Sequence, residues 1–375
     1  MHIVLFMGII VASFGLLSGI LMFWSLSHPE SDRESTNIPY VSIIIPARNE
    51  AKRLPILLKS LKMQTWKAFE ILVVDDASED STAAVATEYG ATVLKNDKES
   101  VGGTTSGKSL ACAYGAEHST GEWLLFLDAD VQFVHNNSLK KLLSAYQKQH
   151  AKGILSVQPY HQMEKAYEHL SAVFNIIVLA GINVFTIWKQ KFKTAGSFGP
   201  CILCDKESYL LSGGHGAAKD SIMDDFALSE TFIANKLPVR NFGGKSIITF
   251  RMYPEGMRQL IEGWTKTLAT ASQSTHWFVM LLINVWISGA LSVASLPVAS
   301  IRMDNLALLG ISIILYLLYG LHVLFLTKRV GNFNSWLVIF FFPLLFIFFI
   351  VVFMYSLYRT HISRSVTWKG RKIKM

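Results

Sequence analysis

Four long apolar runs constrain this sequence more than any other feature. They are Ile3–Trp24, Trp277–Ile301, Leu306–Leu326 and Trp336–Tyr358, and none of them contains Asp, Glu, Lys or Arg. As a helix, each is long enough to cross a hydrocarbon core of about 30 Å. We therefore predict an N-terminal membrane anchor over residues 1–27, C-terminal membrane helices over 277–358 and a basic tail over 359–375.

The first apolar run is expected to stay on the protein as an anchor. No Lys or Arg precedes it, and no small-x-small cleavage site closes it. It is also longer than the apolar core of a secretory signal, which has roughly 7 to 15 residues.

The net charge of +8 does not indicate nucleic-acid binding, because much of it is gathered beside the last apolar run. Basic side chains in that position favour the cytoplasmic face and anionic head groups. Aromatic and basic residues do not interleave as a nucleic-acid platform would require. The basic residues of the tail are Arg359, Arg364, Lys369, Arg371, Lys372 and Lys374.

The cysteines do not predict a zinc site. Cys201 and Cys204 form a C-x-x-C pair inside an apolar segment, and Cys112 stands alone. A structural zinc site needs a second Cys or His pair. A buried strand is the better interpretation.

The residues between the apolar runs, 28–276, are expected to form one α/β domain with a mostly parallel sheet. Short β-rich runs alternate with helical stretches such as 80–89 and 138–149, which is typical of that architecture. The predicted strands are Tyr40–Ile45, Glu70–Val74, Ala91–Leu94, Trp123–Leu127 and Gly153–Val157.

A fifth apolar stretch, Tyr167–Ile187, is expected to lie in the membrane interface or beside an acceptor channel and not to span the bilayer. Glu168, His169, Asn175 and Asn183 interrupt it. An interfacial helix has a similar length and such polar interruptions.

Acidic residues follow several strands at their carboxyl ends, which is where open α/β sheets bind ligands. The most informative are Asp128 and Asp130, directly after the apolar run that ends at Leu127. Two carboxylates on one tight turn can hold a divalent metal against a diphosphate. Taken alone, the pair is equally readable as a solvated turn.

The order and spacing of several motifs resemble the inverting family 2 glycosyltransferases. The resemblance implies a GT-A fold, a uridine-type nucleotide sugar as donor, and Mg²⁺ or Mn²⁺. It places Pro46, Asn49, Glu50, Asp75 and Asp76 around the base and ribose, Lys108 near the diphosphate, and Asp128 and Asp130 at the ribose and metal. The motifs are Ile43-Ile-Ile-Pro-Ala-Arg-Asn-Glu50, Val73-Val-Asp-Asp-Ala-Ser-Glu-Asp80, Gly107-Lys108 and Phe126-Leu-Asp-Ala-Asp130.

A rival interpretation is a P-loop ATPase, because Gly102–Ser109 matches G-x-x-x-x-G-K-[ST]. A phosphate-binding loop should leave its strand directly, whereas the polar run Lys95–Ser100 separates the preceding strand from Gly102. The ATPase interpretation also leaves the first two motifs unexplained.

On the acceptor side, Asp225, with Asp224 in reserve, matches the acidic pair that supplies the general base in this family. The alternative is a charge favoured by the helix dipole. His215 is a candidate for contact with acceptor or sugar, or a solvated loop histidine. Trp264 lies in a predicted amphipathic helix that begins at Arg251, and the alternative for it is an interfacial anchor. The processive Gln-x-x-Arg-Trp motif is absent, which favours transfer of a single sugar.

Further segments resemble the glycosyltransferases of C30 carotenoid (staphyloxanthin-type) biosynthesis. The resemblance implies transfer of glucose from UDP-glucose to the carboxyl group of 4,4'-diaponeurosporenoate, with other enzymes of that pathway as possible partners. Ceramide, diacylglycerol or hopanoid acceptors, and a non-catalytic membrane scaffold, remain alternatives. The segments are Gly153–His161, Phe250–Gly256, Glu262–Lys266 and Trp368–Arg371.

The membrane topology presents a conflict. A cytoplasmic catalytic domain followed by three crossings would place the basic tail outside, against the positive-inside tendency. Either one C-terminal segment is re-entrant or interfacial, which we favour, or the tail is an exception.

Overall fold

The structure is a computed structural model that describes residues 2–29, 37–96, 107–218, 223–361, 365–368 and 371–374. The chain divides into two compact units. The α/β unit comprises Ser27–His161 and Gly196–Met252, and the helical unit comprises Met1–Leu26, Gln162–Ala195 and Tyr253–Met375.

Elements are numbered along the chain. The α-helices are α1 His2–Met22, α2 Leu54–Lys62, α3 Thr82–Glu88, α4 Gly107–Glu117, α5 Ser138–Lys148, α6 Ala172–Gly181, α7 Lys206–Leu211, α8 Gly214–Ala217, α9 Asp224–Ala234, α10 Met257–Ser274, α11 Trp277–Arg302, α12 Leu306–Val330 and α13 Ser335–His361. The strands are β1 Val41–Ala47, β2 Phe69–Asp75, β3 Thr92–Lys95, β4 Trp123–Leu127, β5 Val131–Phe133, β6 Ile154–Gln158, β7 Tyr160–His161, β8 Cys201–Asp205, β9 Val239–Gly243, β10 Ile248–Phe250, β11 Ser365–Trp368 and β12 Arg371–Lys374.

In the described part of the α/β unit, the main sheet has the order β3-β2-β1-β4-β8-β6-β9. All its pairs are parallel except those that β8 makes with β4 and β6. The predicted strands and the mostly parallel sheet are therefore confirmed. The C-x-x-C segment is the buried strand β8, and its cysteines are not bridged.

Burial on both faces explains why the sheet strands read as continuous apolar runs. Along β1, Ile43 and Ile45 face a core that contains Leu57 of α2 and Leu142 of α5. Ile44 faces the opposite core, with α4 and α9. Each fully buried aliphatic side chain contributes about 1.5–3 kcal/mol. This packing fixes β2, β1 and β4 side by side and brings their carboxyl ends to one edge.

In the helical unit, the four predicted membrane segments are α1, α11, α12 and α13, and each is long and apolar enough to cross a bilayer. The helices α1 and α11 run antiparallel, because Gly8 lies against Leu296 and Gly19 against Trp286. The fifth apolar stretch forms a 3₁₀ turn, Ala166–Ser171, followed by α6. It is too short to span a bilayer, in agreement with the prediction.

The predicted start of the amphipathic helix at Arg251 is wrong. Residues 251–256 are not helical, and α10 begins at Met257. Pro254 disfavours helical geometry at the residue before it. Gly256 has φ 125°, a backbone angle that does not occur within an α-helix.

Candidate active site

The loops that follow β1 and β2 hold each other at the carboxyl edge of the sheet. Asn49, with φ 53°, donates its N–H to Ser78 Oγ (3.0 Å) and accepts from Glu79 N at Oδ1 (2.8 Å). The buried Asp75 accepts from Ser78 N at 3.1 Å. Pro46 is the penultimate residue of β1 and pairs with Val74. Asn49 and Asp75 thus shape the edge through backbone contacts.

Asp76 and Glu50 are partly buried carboxylates of these loops. The Asp76 carboxylate lies 3.8 Å from the Arg48 guanidinium, and Asn96 Nδ2 donates to it at 3.4 Å. A Cβ on Gly107 would lie 2.4 Å from Asp76 Oδ2, so the first residue of α4 sits directly against this carboxylate. Glu50 lies 3.5 Å from Arg53.

Lys108 lies between the acidic turn that follows β4 and the start of α9. Its Nζ is 2.8 Å from Asp128 Oδ1 and 3.8 Å from Asp225 Oδ1. Burial alone would lower the pKa of Lys108. The carboxylates of Asp128, Asp225 and Asp224 outweigh it, so this pKa stands well above its ordinary value. The structure therefore brings together three residues predicted from separate motifs.

Asp130 lies in a site that disfavours its negative charge. Burial is the largest cause, the nearby Asp128 and Glu50 add to it, and Arg53 and Lys108 oppose it. Together they raise the pKa of Asp130 to about 7. Carboxylate oxygens are the ligands that Mg²⁺ and Mn²⁺ prefer. Asp128 and Asp130 are therefore the residues that would hold a divalent cation.

The acidic pair at the start of α9 divides into one buried and one accessible carboxylate. Asp224 is 8% exposed, and Ser109 Oγ donates to its Oδ2 at 3.3 Å. The Asp225 side chain is 25% exposed and faces Lys108. Of the two, Asp225 has the more accessible carboxylate.

Gly199 and Ser197 support Asp225, and our sequence reasoning missed both. A Cβ on Gly199 would lie 1.9 Å from Asp225 Oδ2, so only glycine fits there without displacement. Ser197 Oγ donates to the Asp225 carbonyl at 2.9 Å. The sequence signal that could have indicated them is the segment Gly196-Ser-Phe-Gly199, in which three of four residues are small, just before a buried strand.

His215 is not the solvated loop histidine that we considered. It is 1% exposed, its ring packs edge-on against Phe126 at 4.7 Å, and its Nδ1 is 3.1 Å from the Tyr209 hydroxyl. Burial lowers the pKa of His215 to about 4, so it is neutral at physiological pH. This environment favours a packing role beneath the site over direct contact with the acceptor.

Trp264 belongs to the helical unit, whereas the residues described above belong to the α/β unit. It is 3% exposed, stacks on Phe174 at 4.9 Å and donates from Nε1 to Ser171 Oγ at 3.0 Å. These contacts join α10 to α6 and its preceding turn. Its side chain is therefore internal to the unit and does not lie open at a membrane surface.

The comparisons with known proteins agree with this geometry. The profile described as "Glycosyl transferase family 2" matches residues 42–209. A protein of Staphylococcus haemolyticus (strain JCSC1435) named 4,4'-diaponeurosporenoate glycosyltransferase is 39% identical, with 96% of each chain covered. The protein of the same name from Staphylococcus aureus (strain MRSA252) is 36% identical over 97% of this chain and 96% of its own.

A solved structure shows the same fold. The mannosyltransferase of Pyrobaculum calidifontis, in complex with GDP-mannose and Mn²⁺, superposes with a TM-score of 0.54 at 14% identity. The match covers 96% of this chain and all of that one. The predicted GT-A fold with terminal apolar helices is confirmed, and the chain belongs to glycosyltransferase family 2.

Proposed function

We propose that this protein transfers glucose from UDP-glucose to the carboxyl group of 4,4'-diaponeurosporenoate and releases a glucosyl ester. The observation that carries the proposal is the similarity, over nearly the whole chain, to relatives named for that acceptor. Association with other enzymes of the carotenoid pathway stays a prediction.

The donor side of the site supports a nucleoside diphosphate sugar. Asn49, Glu50, Asp75 and Asp76 lie at the carboxyl ends of two adjacent strands, where they would surround the base and ribose together with Pro46. Lys108, at the start of α4, has its Nζ 2.8 Å from Asp128 Oδ1. It would exchange that contact for the diphosphate when the donor binds.

A divalent cation would be held by Asp128 and Asp130. It would supply charge neutralisation for the leaving diphosphate as the glycosidic bond breaks. In this assignment Asp130 is a metal ligand, and Asp128 serves both metal and ribose. The environment of Asp130 disfavours its negative charge through burial and the neighbouring carboxylates, and it supports the assignment because a bound cation would stabilise that charge.

Asp225 is proposed to orient the acceptor on the face of the sugar opposite the diphosphate, as inversion requires. A carboxylic acid has an ordinary pKa of about 4, so this acceptor arrives already ionised. No base has to remove its proton. An alcohol acceptor would need Asp225 as a base, so the two acceptor classes place different demands on this residue.

We further propose that the catalytic unit faces the cytoplasm and that α13 enters the membrane without crossing it. The C-terminal end of α1 and the start of α11 mark one membrane face, which we call the α1-exit face. The ends of α6 and α10 lie beside this face. Thr275, which follows α10 and precedes α11, donates from Oγ to the carbonyl of Gly181, the last residue of α6, at 3.4 Å.

Contacts along α13 support this topology. Asn334, just before α13, has its N–H 3.3 Å from His169 Nδ1, in the turn that precedes α6. The helix is bent at Phe341, near Pro343, and Phe346 packs on Trp286 at 4.7 Å. Further along, Ser356 Oγ donates to Thr265 O of α10 at 2.7 Å. Both ends therefore contact elements of the α1-exit face, which would return the basic tail to the cytoplasm.

Product identification tests the proposed function. Membranes containing the full chain are incubated with labelled UDP-glucose or UDP-galactose and, separately, the carotenoid acid, ceramide or diacylglycerol. We expect label only in the carotenoid and only from UDP-glucose. Label in ceramide or diacylglycerol alone would replace the acceptor and retain the enzyme class. For topology, a C-terminal tag should be accessible from the same side as a tag in the α/β unit.

A further inference from the structure

A braced loop, Ile187–Lys193, lies at the α1-exit face; we call it the lysine loop. At its start, Ile187 donates its N–H to Leu21 O of α1 at 2.9 Å. At its end, the buried Asn183 donates from Nδ2 to Lys193 O (3.2 Å) and accepts from His276 N (3.0 Å). The loop is thus fixed to the last turn of one membrane helix and to the residue before another.

Aromatic side chains connect the lysine loop to the start of α11. Trp188 packs edge-on against Phe278 with ring centroids 5.1 Å apart, and Phe192 packs on His276 at 4.4 Å. Trp277, the first residue of α11, is 71% exposed. Tryptophan with exposed aromatic surface at the end of a membrane helix is typical of the head-group level of a bilayer.

The loop presents Lys189, Lys191 and Lys193, and all three are exposed. None of them forms an ion pair with a residue that the structure describes. The sequence contains no Asp or Glu from residue 169 to residue 204. Three cations on a fixed support, within a stretch of sequence that has no Asp or Glu, would leave positive charge at the depth where lipid phosphates lie.

We propose that the lysine loop is a binding site for anionic phospholipid head groups such as phosphatidylglycerol. The lysines provide the charge complement, and Trp188, Phe192 and Trp277 hold the loop at head-group depth. Long lysine side chains reach head-group phosphates while their methylene groups stay against the apolar boundary. The site would hold the helical unit at a fixed depth on the side from which the chain leaves α1.

The test uses the full chain in phosphatidylcholine vesicles with a trace of acyl-chain-labelled phosphatidylglycerol, or labelled phosphatidylcholine as the reference. Energy transfer from tryptophan reports the association constant. The test variant carries Lys189→Gln, Lys191→Gln and Lys193→Gln together. We expect its preference for phosphatidylglycerol to fall at least about fivefold. A fivefold change in the association constant corresponds to the loss of one lysine–lipid contact of about 1 kcal/mol. The triple arginine variant should keep the preference.

The matched control is Lys62→Gln, Lys148→Gln, Lys236→Gln, which removes three exposed lysines of the α/β unit. Each set includes one lysine in left-handed backbone, Lys189 with φ 50° and Lys236 with φ 60°. The control should keep the wild-type preference. The proposal is overturned if the lysine-loop variant keeps the full preference, or if the control loses as much and the effect is one of net charge.

Discussion

Two acidic pairs meet at Lys108, and they differ in how the structure treats their second carboxylate. In each pair one member faces the lysine: Asp128 at 2.8 Å and Asp225 at 3.8 Å. The other member of the α9 pair, Asp224, is buried and accepts a hydrogen bond from Ser109. The pair that follows β4 is Asp128 and Asp130, which we call the β4 pair; burial, and then the nearby carboxylates of Asp128 and Glu50, raise the pKa of Asp130.

Under the proposed assignment, the difference separates a carboxylate that stabilises the fold, Asp224, from one that would bind the metal, Asp130. A buried carboxylate at a helix start is stabilised by the helix dipole and by hydroxyl donors. The site of Asp130 instead disfavours its negative charge, first through burial and then through Asp128 and Glu50, and a bound divalent cation would stabilise that charge. Changes at the β4 pair should therefore abolish chemistry, whereas changes at the α9 pair should reduce it.

The largest expected effect is that of Asp130→Asn. Loss of a metal ligand should lower kcat/KM for glucosyl transfer by roughly 10³-fold, since a bound cation supplies several kcal/mol of charge stabilisation. Mn²⁺ binding, followed by electron paramagnetic resonance, should weaken in parallel. Asp224→Asn is the matched change in the other pair and should retain Mn²⁺ affinity. Equal loss of metal binding in the two variants would contradict the comparison.

A smaller effect is expected for Asp225→Asn. If the residue orients an acceptor that is already ionised, kcat should fall by about tenfold. This loss is smaller than the loss expected when a general base is removed. The measurement is single-turnover transfer to the carotenoid acid, with circular dichroism to establish folding. Complete loss of transfer in a correctly folded variant would show that Asp225 does more than orient the acceptor.

Gly199→Ala should act through Asp225 and cost up to about tenfold in kcat, because the new methyl group displaces that carboxylate. Combined with Asp225→Asn, it should cause little further loss, as expected for coupled neighbours. Gly216→Ala is the control, since its Cβ would have no atom within 4 Å. Additive losses in the double variant would assign Gly199 a separate role.

The smallest expected effect concerns stability without metal. Because the folded-state pKa of Asp130 is about 7 against an ordinary 3.8, folding holds a proton that the unfolded chain releases. Stability is therefore lost as the pH rises from about 4 to 7. Asp130→Asn should raise the melting temperature by a few degrees above pH 7, the shift that about 1 kcal/mol produces in a domain of this size.

This stability gain should disappear near pH 4, where the aspartate is protonated in both states. Adding Mn²⁺ should stabilise the wild type and leave the variant unchanged. A variant that is less stable than the metal-free wild type above pH 7 would mean that the Asp130 charge is already compensated by other groups.

The carboxyl edge of the sheet could be predicted well, because each strand and its end are marked by residues that are neighbours in sequence. Apolar runs such as Trp123–Leu127 read as buried strands, and the polar residue that follows each run marks the end of the strand. Parallel pairing then brings those ends together. This rule predicted Asp128 at the edge of the sheet, and the family resemblance predicted Lys108 near the same site; their side chains lie 2.8 Å apart.

The acceptor side was less predictable because its geometry depends on contacts between residues distant in sequence. Gly199 meets Asp225, and Ser109 meets Asp224. The burial of His215 depends on Phe126 and Tyr209. No local pattern around these residues indicates such contacts. Residues 102–106 of the P-loop-like segment lie outside the described residues, and family membership decides against that interpretation.

The most direct test of the central claim is the bond that the purified full chain forms between glucose and the carotenoid acid. The enzyme is given UDP-glucose, Mn²⁺ and 4,4'-diaponeurosporenoate, and the product is treated with mild alkali before mass spectrometry. We predict one glucose for each carotenoid, released by alkali as expected for a carboxylic ester. An alkali-stable product, or no transfer to the carotenoid while another lipid is glycosylated, would contradict the account.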